Sequence, residues 1–210
     1  MVRLKLKLRK EYPTYWEYIA PQHDENNIAN ADWLAVKYGR TSGTGCGYVM
    51  GHGFEKDKSL QECAYEFCGM KKKEFSEEAL KRMNHGTINE EHARTLYETK
   101  NNVTVSELGF VVPKWNLYIG ISPDGCVDQP DDNGVYGNIE IKCPQKMYFS
   151  YIKYMEQDNP DPYDYSHIWK SHFDQMQWGM GIMNRGWCDY IVVDTFDKCN
   201  TLPANFGFPL

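Results

Sequence analysis

The residues of this chain whose types and spacing suit chemistry are an aspartate, in Ser122-Pro123-Asp124-Gly125, and the triplet Glu140-Ile141-Lys142. Asp124 follows the apolar stretch 117–121. The triplet closes a short run at 137–141, just ahead of Cys143-Pro144. On a β-strand, side chains alternate faces at about 3.3 Å per residue. Glu140 and Lys142 would then share a face and converge on one point, while Ile141 turns into the core. An acid, followed by an acid and a lysine two apart on a neighbouring strand, suits a divalent cation held beside an ammonium. Phosphodiester hydrolysis is the chemistry such a set supports. Alone, Asp124 reads equally well as a turn residue, because Pro-Asp-Gly favours turns by itself. Glu140 alone reads as one side of an edge-strand salt bridge.

The flanking sequence supplies elements that could position these groups. Helices are expected over 28–38, capped by Asn26 or Asn27, over 54–67, closed by Gly69, and over 76–83 and 87–100, the first capped by Ser76. The glycine-rich stretch 39–53 lacks the Gly-Lys-Ser/Thr ending of a phosphate loop. After Asn101-Asn102 the pattern turns β-branched and aromatic, with strands expected over 103–112, 117–121 and 137–141. A turn-rich hairpin connection is expected over 129–138, an irregular loop over 157–165, a helix over 166–183 and a strand over 187–195. Residues 3–8 alternate leucine with lysine or arginine, as a strand with one basic face would; a mitochondrial targeting segment is the competing reading. The tail 201–210, with two prolines, is expected to lie over the surface. Helices, a three-strand meander, a helix and a further strand imply an α/β sandwich with a mixed sheet.

A length of 210 residues fits one domain with a sizeable core. No apolar run approaches the roughly 20 residues of a membrane span. Seven cysteines, with no CxxC pair, fit reduced and partly buried thiols in the cytosol or nucleus. The net charge of −6 argues mildly against a nucleic-acid partner, but local distribution outweighs the sum. Basic residues cluster at 3–10 and 71–73, and each cluster reads equally as a solvated surface. His85, His92, His167 and His172 show no metal-ligand spacing and read as surface or DNA-proximal residues. Trp115, Trp169, Trp178 and Trp187 read as core.

Ser-Pro-Asp-Gly followed by Glu-Ile-Lys-Cys-Pro resembles the YqaJ-type viral recombinases, the lambda-exonuclease family of the PD-(D/E)XK nuclease superfamily. Gly86, Glu90, Ala93 and Arg94 match that family's helix, which carries a glycine, a glutamate four positions on, then Ala-Arg. Gln175-Met176-Gln177 matches its Gln-x-Gln helix, and Trp33 with Thr41-Ser42 matches its N-terminal tryptophan helix and Thr-x-Ser loop more loosely. Two features depart from the pattern. Fifteen residues separate Asp124 from Glu140, which implies an extra hairpin tip at 129–138. The family's phosphate-binding arginine has Lys37 in its place, with Arg40 close by, and a lysine cannot grip phosphate bidentately.

The resemblance implies a single nuclease domain over 1–210. Its restriction-endonuclease-like core would occupy about 86–197, with a mixed central sheet flanked by helices, and a helical DNA-contacting part about 1–85. It also implies a ligand set for Mg²⁺, with Mn²⁺ as substitute: Asp124, Glu140, the backbone carbonyl of Ile141, and Glu90. Such hard cations take oxygen donors and keep several waters. Lys142 would orient or deprotonate the attacking water, or offset transition-state charge. Gln175 would hydrogen-bond the water, Lys142 or the scissile phosphate, or else act as a buried structural amide. Lys37, Arg40, Ser42, Ser122 and Arg94 are the candidates for DNA phosphate. The implied activity is 5′-to-3′ exonucleolytic digestion of double-stranded DNA ends in viral recombination or repair. Some relatives form ring trimers, and the resemblance implies a homo-oligomer of that kind, a single-strand annealing partner and an infected host cell. A restriction-like endonuclease and a non-catalytic DNA-end-binding module are the alternatives.

Overall fold

The computed structural model of the chain describes residues 2–5, 15–18, 30–53, 59–71, 74–146, 149–157 and 165–193. A five-stranded mixed sheet carries it, in the order β1 (Val2–Lys5), β7 (Trp187–Val192), β6 (Gly137–Lys142), β5 (Gly125–Val127), β3 (Val105–Ser106). Strands β6 and β7 run parallel, with Glu140 beside Tyr190 and Lys142 beside Val192, and every other neighbour is antiparallel. A parallel pair needs a long crossover. Here α5 (Phe149–Met155) and α6 (Lys170–Met183) lie between the two strands in the chain. Strands β2 (Tyr15–Tyr18) and β4 (Phe110–Pro113) form a separate antiparallel pair.

Alternation along β6 and β7 feeds two cores. Ile139, Ile141 and Trp187 pack with Ala93 and Tyr97 of α4 (Glu77–Asn101). Cys188, Tyr190 and Val192 pack with Met176 and Met180 of α6 and with Tyr151 and Tyr154 of α5. Ala93 and Tyr97, four residues apart, lie on one side of their helix and face the sheet together. The expected sandwich with a mixed sheet is the fold observed. None of the helices described is long and apolar enough to cross a membrane.

Several boundaries differ from expectation. Residues 76–83 and 87–100 belong to one 25-residue helix, α4, capped by Ser76 and ended by Asn102 at φ 51. Gly86 costs such a helix about 1 kcal/mol, which does not break it. The helix α1 (Ala31–Lys37) is capped by Asn30, whose side chain accepts from the Asp32 amide, rather than by Asn26 or Asn27. The glycine-rich stretch contains α2 (Gly43–Val49). Its glycines permit close approach to α6: a Cβ at Gly43 would lie 3.0 Å from Gln175 Cγ, and one at Gly47 3.3 Å from Ser171 Cβ. The helix α3 (Leu60–Phe67) begins at a capping box between Ser59 and Glu62; residues 54–58 of the expected helix lie outside the described residues. The expected strand 103–112 splits between two sheets as β3 and β4, and 117–121 makes only isolated bridges, Ile119 to Thr41 and Ile121 to Val111. Strand β5, absent from the expectation, begins at Gly125, where a Cβ would come 2.4 Å from Val105 Cγ1. Helix α5 was likewise not expected. The tail 201–210, Cys199 and residues 6–8 lie outside the described residues, as do Lys72 and Lys73.

Candidate active site

Asp124 immediately precedes β5, and Glu140 and Lys142 lie on the adjoining β6. The pairing of β5 with β6 brings Asp124 to the triplet. Its Oδ2 accepts from the Ile141 amide at 2.7 Å and lies 3.9 Å from Lys142 Nζ. Lys142 Nζ donates to the Ile141 carbonyl at 3.0 Å and to Glu140 Oε1. The ammonium therefore sits among two carboxylates and a carbonyl. Ile141 turns the other way, into the core, as strand alternation requires.

Glu140 is buried, and burial followed by Asp124's charge raises its carboxyl to about 8. Glu90, from α4, is raised to about 7 by burial and then by Asp124, with Lys142 and Arg94 opposing. Burial disfavours the charge on Lys142, but Glu140 and Asp124 outweigh it and hold the amine above its ordinary value. This cluster is short of positive charge. Its donors are hard oxygens, so its chemistry fits a divalent cation. Among the described residues no three His, Cys, Asp or Glu side chains converge closely enough to ligate one ion together. Glu90 couples to the pair through charge.

The other sequence candidates divide between cluster and scaffold. Arg94 holds the Asp124 loop: its Nε donates to the Asp124 carbonyl at 3.2 Å and its Nη1 pairs with Glu107. Gln175, on α6, packs against Gly43. Ser122 Oγ accepts from Trp33 Nε1 at 3.3 Å and donates to the Gly109 carbonyl at 3.4 Å. Ser42 is buried at the N-terminus of α2 and makes no capping hydrogen bond. Lys37 Nζ lies 4.4 Å from the Trp33 ring centroid, and Arg40 Nη1 donates to the Val36 carbonyl. Lys37 and Arg40 thus belong to the end of α1, and Ser42 to the start of α2.

Three groups beside the cluster escaped the sequence reading. Asp174, next to Gln175, pairs with His52 Nδ1 at 2.7 Å. Cys46 of α2 is pushed up to about 12 by burial, then by Asp174 and Glu140, and α2 packs on α6 where Gly43 meets Gln175. His172 is buried, not superficial. Its Nδ1 lies 2.8 Å from Tyr190 Oη, and burial, then Lys142, lowers it to about 2, a neutral imidazole. His167 is also buried, stacked on Tyr154 at 3.8 Å. No spacing signals such pairs, because each partner sits on a different element. Of the tryptophans, Trp187 is core, Trp178 is half-buried, and Trp115 and Trp169 are exposed, contrary to the core reading.

The chain is similar to the crystal structure of an alkaline exonuclease, LHK-Exo, from Laribacter hongkongensis. Identity is 25% and the TM-score 0.58, over 80% of this chain and 75% of the other. Against LHK-Exo in complex with dAMP the values are 26% and 0.56, with the same coverage. The likeness fits the mixed sheet and helix layers to the PD-(D/E)XK-type fold. No curated protein matches. The YqaJ-like viral recombinase domain matches residues 32–185, most of the length, and this chain belongs to that family.

Proposed function

We propose that this protein is a Mg²⁺-dependent deoxyribonuclease, an exonuclease that digests double-stranded DNA from its ends in the 5′-to-3′ direction. The observation that carries this reading is the meeting of Asp124, Glu140 and Lys142 at β5–β6, with Glu90 coupled to them. Membership of a viral recombinase family and likeness to an alkaline exonuclease support nuclease chemistry. Asp124, Glu140 and the Ile141 carbonyl would hold one metal ion and Glu90 would help to hold a second; such ions, when bound, would neutralise phosphoryl charge and supply an activated water. Mn²⁺ would substitute.

The chain's own groups have separable tasks. Asp124 is oriented by the Ile141 amide at its carboxylate and by Arg94 at its carbonyl. Lys142 stays charged while the carboxylates surround it, so it acts first as an electrostatic partner of the scissile phosphate. Service as a base requires those carboxylates to be neutralised. Gln175 orients phosphate or water from α6. A trimeric ring, an annealing partner and an infected host cell complete the expectation.

Incubation with end-labelled linear duplex and with closed plasmid circles, with Mg²⁺ or with EDTA, tests this. Mononucleotide release from linear DNA alone, from the 5′ end and only with Mg²⁺, is the expected result. Nicked or linearised circles would assign an endonuclease instead, and binding without any product a non-catalytic module. Asp124→Ala, Glu140→Ala and Lys142→Ala should each lower the rate by about 10²–10⁴, roughly 3–5 kcal/mol, with the fold retained. Near-normal hydrolysis by folded Asp124→Ala would refute the site.

A further inference from the structure

Away from the acid cluster, the end of α1 and the 115–118 turn enclose an open cleft of about 480 Å³. Tyr38, Arg40, Trp115, Leu117 and Tyr118 line it. Tyr38 is 63% exposed, Trp115 48%, Leu117 54% and Tyr118 77%, so the cleft shows water a contiguous aromatic and apolar wall.

The wall is held in place by backbone rather than by burial. Tyr38 Oη donates to the Cys68 carbonyl at 2.6 Å, and its ring lies on Gly69, where a Cβ would come within 2.2 Å of it. Gly69 has φ +65, so glycine suits both the turn and the ring. The Tyr118 amide donates to Asn116 Oδ1 at 2.9 Å, and its carbonyl accepts from the Thr41 amide at 2.9 Å.

Charge selects the occupant. In a chain of net charge −6, the lining includes a guanidinium and, among the described residues, no carboxylate. Arg40 is anchored through Nη1 to the Val36 carbonyl, and Lys37 and Lys114 flank the lining in the chain. Aromatic faces beside a guanidinium suit bases joined by phosphates. The place suits them too. Tyr118 and Asp124 are six positions apart, a contour of at most about 20 Å, so a few nucleotides would span from cleft to acids.

We propose that this cleft takes unpaired nucleotides of the DNA substrate, with bases stacked on Tyr118 and Trp115 and a neighbouring phosphate on Arg40. The inference rests on the deoxyribonuclease reading and adds a binding site to it. The test is binding of a 2-aminopurine-labelled single strand, and of a duplex with a single-stranded tail, in EDTA so that nothing is cut. Wild type should bind both and quench the probe. Trp115→Ala/Tyr118→Ala should lose about tenfold or more in affinity for both and lose the quench, whereas Tyr118→Phe, which keeps the ring, should bind like wild type. Tyr118→Ala alone serves should the double variant fail to fold, as judged by circular dichroism.

Wild-type hydrolysis of linear duplex is measured in parallel. A wild type that cuts DNA, beside a folded double variant that binds within twofold and still quenches, overturns the cleft and spares the nuclease reading. A variant whose sedimentation changes while DNA binding does not would make the cleft an interface between copies, and also overturns it. A wild type that neither binds nor cuts DNA overturns both readings.

Discussion

Glu90 and Glu140 are held above the ordinary carboxylate value of 4.5, at about 7 and about 8, chiefly by burial and then by Asp124. A carboxyl raised by folding favours the protonated folded state. Its contribution is fully present below about 4.5 and is lost as pH rises through 7 to 8. In EDTA, the thermal midpoint should therefore fall from pH 5 to pH 8.5. Glu90→Gln should flatten that fall. Partial exposure trims the difference to about 2 kcal/mol, or roughly 4–8 °C for a domain of this size. A wild type and variant with parallel pH–melting curves would contradict the coupling. Arg94 gives a second prediction at this scale. It binds the Asp124 carbonyl with one nitrogen and Glu107 with another, a bridge a single ammonium reproduces poorly. Arg94→Lys should lower kcat about tenfold with little change in KM, the signature of a displaced Asp124 rather than of a lost DNA contact.

Among elements, the long helix α4 carries Glu90 and must be fixed against the sheet. Ala93 and Tyr97 do this by packing, and Tyr97 Oη also donates to the fully buried Asp189 Oδ2 on β7 at 2.7 Å. Tyr97→Phe removes that donor from a buried carboxylate and should cost about 1–3 kcal/mol in urea unfolding. Strand β5 depends on Gly125, wedged between Val105 and Ile139. Gly125→Ala should cost about 1–3 kcal/mol by overpacking and also reduce hydrolysis, because Asp124 is its neighbour. Local pattern and tertiary crowding act separately in this region. Pro-Asp-Gly signals a turn, and it does end the bridged segment at 119–121, but the crowding that makes glycine necessary at 125 exists only once β3 and β6 have closed on it.

At the scale of the molecule, two helix layers cover both faces of the sheet, and the acid cluster lies where β5 and β6 meet with α4 on one side and α2–α6 on the other. Ile139 is fully buried on the α4 side. Ile139→Ala should cost about 2–5 kcal/mol and should shift the urea midpoint without altering the slope. The formal net charge of −6 is not spread evenly: among the described residues, the lining of the aromatic cleft near Arg40 has no acid. The whole-chain sum thus said little about where DNA would lie.

The sequence by itself set Glu140 and Lys142 on one strand face and marked Asp124 as their acidic companion. Strand alternation is a local rule, and Glu140-Ile141-Lys142 obeys it wherever the strand sits. It also determined the family, because the acid motif, the Glu90 helix and the Gln175 helix occur in a fixed order along the chain. Only the tertiary structure decided what surrounds them: Arg94 turned to the Asp124 carbonyl, Ser122 engaged by Trp33, His172 buried on Tyr190, and α2 formed from a glycine-rich stretch. Each of these joins residues far apart in the chain, and their meeting follows from how sheet and helices pack, which no local pattern encodes.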